Sequence, residues 1–183
     1  MARFKISKLA FISIAIITMV SPAMAASEAE DEKVFSSVMI EATPKAVLDA
    51  IRLQRQVDPA RRLVSTSGAE SMIDENFSGL PVIGSAKCLY KEVESENSVE
   101  YYLISSDKFK RFEGRWTLTS QDGGRKTQLR LSSQLDTGMK IPFAKQITNC
   151  AVKKDVLRRL GRVKNLAEAT TVVVPLKHLK ASN

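Results

Sequence analysis

The chain has 183 residues, 44% of them hydrophobic and 26% charged, with a formal net charge of +8. This length suits one domain. Two cysteines and one histidine are too few ligands for a typical zinc site, and no motif calls for a cofactor.

Residues 1–25 read as a secretory signal peptide. Arg3, Lys5 and Lys8 form a basic start, Leu9 to Val20 is a short apolar run, and Ala23-Met24-Ala25 supplies the small residues a signal peptidase needs. The run falls short of the roughly 20 residues a spanning helix requires. Cleavage after Ala25 would make the mature protein periplasmic or extracellular. Removing three positive charges from +8 leaves +5. That excess suits weak attraction to anionic membrane surfaces and does not call for nucleic acid. A monomer is expected. Export places Cys88 and Cys150 in an oxidising space, where they can pair as a disulfide or remain buried thiols.

Residues 26–33 read as a flexible acidic leader, and Val34 to Glu41 as a strand. Thr43-Pro44 predicts a helix start, because Thr caps and Pro favours the first helical position. Ala46, Val47, Ala50 and Ile51 form its apolar stripe, and Asp58-Pro59 breaks it. Residues 60–68 have no clear pattern beyond a short helical turn and a loop. From Ala69 the period changes to two. Strands are predicted over SMIDENF, SAKCLYKEV (Ala86, Cys88 and Tyr90 on one face), SVEYYLISS, FEGRWTLTS and KTQLRLSSQLD, with turns at GLPVIG and at Gln121–Gly124. In FEGRWTLTS, Gly114 relaxes a bend, and Trp116 and Leu118 point inward, opposite Arg115. Phe143 to about Ala169 predicts one long helix with Val152, Val156, Leu157, Leu160, Val163 and Ala167 on its apolar face. Residues 170–183 form a tail.

A strand, a helix, a run of about five antiparallel strands and a long closing helix make an α+β architecture. A curved sheet covered by one helix leaves room for a cavity between them. The segments VMIEATPKAVLDAI, EGRWTL, GGRKTQLRLSSQLDTGMKIPFAKQI and KKDVLRRLGRVKNLAE resemble the START-like superfamily, also called SRPBCC or Bet v1-like. They are most similar to its polyketide cyclase and coenzyme Q-binding branch. The resemblance spans residues 34–169 and implies a helix-grip fold.

No catalytic set is legible. His178 lies alone in the tail, no Gly-x-Ser-x-Gly elbow occurs, and Asp74, Glu75, Glu92, Glu94 and Glu96 read as solvated carboxylates. Asn149 and Lys153 fall close to the closing helix's apolar stripe, where polar groups need partners. The expected cavity lining is Tyr90, Tyr102, Trp116, Leu118, Leu129, Leu131, Asn149, Lys153, Val156, Leu157 and Leu160. For Trp116, ordinary core packing is the competing assignment. The functional expectation is an exported, non-catalytic binder or carrier of a lipid-like or other hydrophobic small molecule. One alternative is a cyclase or dehydratase using Tyr90, Tyr102 or Glu75. Another is an envelope interaction module acting through an exposed apolar patch.

Overall fold

The computed structural model describes residues 33–173. The signal segment, most of the leader, Pro175 and His178 lie outside them. Strand β1 (Val34–Ile40) leads into helix α1 (Pro44–Val57). Six strands follow: β2 (Arg61–Ser67), β3 (Glu70–Leu80), β4 (Gly84–Ser95), β5 (Ser98–Ser106), β6 (Arg111–Gln121) and β7 (Lys126–Asp136). Helix α2 (Ala144–Val173) closes the order. The sheet runs β1-β7-β6-β5-β4-β3-β2 with every neighbour antiparallel. Helix α2 packs on β1, β7 and α1.

Local chemistry sets the boundaries. The Thr43 hydroxyl accepts a 3.3 Å bond from the Ala46 N–H, and Pro44 opens α1. The β6–β7 hairpin turns through Asp122–Gly124, where Gly123 and Gly124 have φ of 63° and 90°. Period-two alternation puts Ile73 (β3), Tyr90 (β4), Val99 (β5), Trp116 and Leu118 (β6), and Leu129 and Leu131 (β7) on the inner face. Val47 and Ile51 of α1 and Val156, Leu160 and Val163 of α2 complete the core. Each fully buried side chain of this kind contributes about 1.5–3 kcal/mol.

Three expectations need correction. Residues 61–67 form an edge strand, not a helical turn and loop. Only Arg61 of that strand is buried, and Leu63 and Val64 are both exposed, so it carries no alternation to read. Six strands therefore follow α1 instead of five. The last helix continues to Val173, so the tail begins inside it. Gly114 gives clearance more than bending. A Cβ there would lie 2.2 Å from the Ser132 carbonyl oxygen and 2.4 Å from the Tyr101 hydroxyl. Tyr101 is its cross-strand partner and lies over the position a side chain would fill.

Candidate ligand site

The inner face of β3 carries Ser71, Ile73, Glu75 and Phe77. Alternation thus delivers a carboxylate to the interior, where Glu75 is only 3% exposed. Its two oxygens accept two hydrogen bonds and face one further cation. Oε1 accepts from the Arg159 guanidinium of α2 at 2.9 Å, and Oε2 accepts from the Tyr90 hydroxyl at 2.9 Å. Arg61, opposite Glu75 across the β2–β3 ladder, places its Nε 3.1 Å from Oε2. Arg159 Nε lies 2.5 Å from Asp155 Oδ2 one helical turn earlier. The Arg159 guanidinium also sits 5.9 and 6.0 Å from the ring centres of Phe77 and Phe112, within cation–π range. Beside this group, Glu92 of β4 and Arg55 of α1 form a second buried pair at 3.2 Å. Charges this deep persist only when paired.

The network shifts its members. Burial, with the Glu75 charge, raises the Tyr90 hydroxyl well above its ordinary range. Burial pushes Tyr101 up to about 12. Burial also raises Glu92, against the pull of Arg55. For Asp155 burial works the other way from the result: Arg159 and Arg158 outweigh it and hold the carboxyl below its ordinary value. Asp155 and Glu75 likewise overcome burial to keep Arg159 charged.

This ionic and aromatic cluster fills the middle of the space under the helix. Beside it, under the stretch from Cys150 to Arg158, is a cavity of about 320 Å³. Phe77, Leu80, Phe112, Leu135 and Val152 form its apolar walls, and Glu75, Asp155, Asp58 and Ser133 its polar points. Lys154 and Arg158 also border it. The volume is at the lower end of the range for small-molecule sites, about 300–1,000 Å³. A second hollow, also about 320 Å³, lies along β7 and the first turns of α2, bordered by Arg111, Met139, Lys145 and Asn149 among others. Leu135 borders both.

None of the eleven residues expected to line a ligand cavity borders the space under Cys150–Arg158. Trp116, Leu118, Leu129, Leu131, Val156 and Leu160 are buried in the core. Tyr90 is buried too, its hydroxyl committed to Glu75. Asn149 reaches the second hollow. Three residues must be reassigned. Tyr102 is on the outer face of β5, under the Lys91 ammonium, and Tyr101 takes the inner position. Lys153 and Leu157 are exposed, Leu157 by 51%. At about 100° per residue, Leu157 is turned by about 100° from Val156, whereas Arg159 is turned by only about 60°. Arg159 therefore takes the buried place. Glu75 and Glu92, read as solvated, are instead buried and paired. They share faces with Ile73 and Phe77, and with Cys88 and Tyr90. The cysteines are free thiols and form no disulfide. Cys88 is inside the sheet–helix core, and Cys150 is on the exposed side of α2 at the cavity border. Burial pushes the Cys88 thiol up to about 12.

No family model matches the sequence, and no curated protein sequence matches it. Solved structures do match its fold. The Zhui aromatase/cyclase from Streptomyces sp. R1128 aligns over 78% of this chain and 97% of its own, with a TM-score of 0.67 at 13% identity. A START superfamily protein from Mycobacterium smegmatis aligns over 73% and 98%, with a TM-score of 0.54 at 14% identity. The lipid transfer and protein localization domain of human StarD13 aligns over 73% and 76%, with a TM-score of 0.53 at 13% identity. The chain has the helix-grip fold of START/SRPBCC proteins.

Proposed function

We propose that the protein is an exported, non-catalytic binder of a hydrophobic or amphipathic small molecule held in the cavity under Cys150–Arg158. The observation that carries this reading is the composition of the cavity: two aromatic rings and three aliphatic side chains around a floor that ends at Glu75 and Asp155. Such a lining accepts an apolar body and orients one polar end. The fold neighbours named above include both a cyclase and a lipid-transfer domain, so the scaffold alone does not select a chemistry.

The cyclase or dehydratase alternative draws on the buried contact between the Tyr90 hydroxyl and Glu75. The Glu75 carboxylate is already engaged: it accepts hydrogen bonds from Tyr90 and Arg159 and has Arg61 as a further ion-pair partner. Tyr90 does not border the cavity. The pair therefore serves better as a rigid polar floor than as a proton relay. Native mass spectrometry after gentle purification tests the proposal. An adduct of small-molecule mass, or uptake of an offered fatty acid, quinone or isoprenoid, supports it. A protein that is empty and takes up none of these contradicts it. Chemical conversion of the bound molecule would favour the enzyme reading.

A further inference from the structure

At one end of the molecule three links come together: Pro81–Ile83 between β3 and β4, Asp107–Lys110 between β5 and β6, and Thr137–Phe143 before α2. The Lys108 ammonium donates to the Ile83 carbonyl at 2.7 Å, and the Lys110 N–H donates to the Asp136 carbonyl at 2.7 Å. Ile83, Phe109 and Thr137 border a common surface hollow. Each outer link presents a large apolar side chain to solvent. Val82 is 65% exposed and Phe143 is 71% exposed, with Ile141 exposed beside it. Val82 and Phe143 also have φ of 70° and 61°. Branched and aromatic residues seldom adopt this left-handed backbone region. Neither burial nor backbone preference explains valine and phenylalanine at these two positions.

Among the described residues the surrounding charge is one-sided. Lys108, Lys110, Arg111, Lys140 and Lys145 stand in or next to these links. Against them are Asp107 and Asp136, and both carboxylates accept backbone N–H bonds, from Lys87 and Gly138. Cationic side chains around protruding apolar tips match an anionic lipid surface, where apolar groups enter the acyl boundary and lysines meet the headgroups. We infer that this end, formed by Val82, Ile141 and Phe143 with their five flanking cations, docks on anionic bilayers. Pro81 and Leu80 also border the cavity, so docking would bring its rim to the membrane. The inference does not require the cavity to be occupied.

Co-sedimentation with vesicles tests it, using protein purified from expressing cells whose N-terminus has been determined by mass spectrometry. The vesicles are phosphatidylcholine alone or phosphatidylcholine with phosphatidylglycerol. Binding is expected to the mixed vesicles, weakening as salt screens the charges. Each of Lys110→Gln and Lys140→Gln should weaken it by about fivefold, from the energy a lysine gains near such a surface. The double variant Val82→Ser, Phe143→Ser should weaken it by at least about tenfold while its thermal unfolding is unchanged or improved. It removes about two apolar insertions and relieves the branched residue at positive φ. Equal binding to both vesicle types, or a double variant that binds like the parent, overturns the inference. So does a concentration-dependent dimer that the double variant abolishes, since that would assign the face to a second copy. Vesicle binding without ligand uptake would leave docking intact and remove the proposed function, and the reverse result would do the opposite.

Discussion

Glu75 holds together groups from four separate parts of the chain: its own strand, Arg61 on β2, Tyr90 on β4 and Arg159 on α2. Removing one partner leaves charge buried without compensation, which typically costs about 3–5 kcal/mol. Arg159→Met should therefore lower the unfolding free energy by about that much in urea titration. Tyr90→Phe, which deletes a single bond to a charged acceptor, should cost about 1.5–3 kcal/mol. The network also sets an acid limit. Asp155 in the network, and Glu94 outside it where Arg52 and Arg55 pair with the carboxylate, titrate below their ordinary values of 3.8 and 4.5 in the folded protein. Their contribution is therefore complete above about pH 4.5 and is lost as the pH falls through the lowered folded values. Glu92 is raised, so its protonation returns part of that loss. Stability measured against pH should fall below about pH 4.5, and Asp155→Asn should flatten the fall. The thiols give a separate check. In native protein iodoacetamide should modify Cys150 and not Cys88, whose thiol is buried and raised to about 12. Two modifications without denaturant would contradict the placement of Cys88.

Helix α2 shows how one element both covers the core and roofs the cavity. Its buried stripe runs Val152, Val156, Arg159, Leu160, Val163 and Ala167. Leu160→Ala should cost about 2–5 kcal/mol, whereas Leu157→Ala should stay within about 0.5 kcal/mol. Equal costs at the two positions would mean the helix is rotated from the phase described. The strands, both helices and their order could be read from the sequence because period two and period 3.6 are strong signals wherever one face is buried. Edge strand β2 could not, because exposure on both faces erases the alternation. The site was much less legible. The positions of Glu75 and Glu92 follow from the same alternation that places Ile73 and Tyr90 inside. A general expectation that carboxylates face water obscured it. Arg159 was hidden in the same way: helical phase favours it over Leu157, but residue type argues the reverse. Its partners come from distant parts of the chain, and only the fold brings them together.

At the scale of the whole molecule, the sheet and α2 form a grip whose middle is closed by paired charges and rings. The remaining space is toward the start of the helix. Any ligand held there would be small, or one end of something larger, with an apolar body against Phe77 and Phe112 and a polar end near Glu75 and Asp155. The apolar tips and cations around Val82 and Phe143 stand at the same end as the cavity rim formed by Leu80 and Pro81. The most direct measurement is a binding titration of fatty acids, quinones and isoprenoids against the parent protein, Ala151→Trp and Leu157→Ala. Ala151 borders the cavity, and an indole there would fill part of about 320 Å³, whereas Leu157 faces solvent. Saturable one-to-one binding of at least one of these compounds is expected, weakened by about tenfold or more in Ala151→Trp, a loss of about 1.4 kcal/mol, and unchanged in Leu157→Ala. Absence of saturable binding to the parent, or equal affinity in Ala151→Trp, would contradict it.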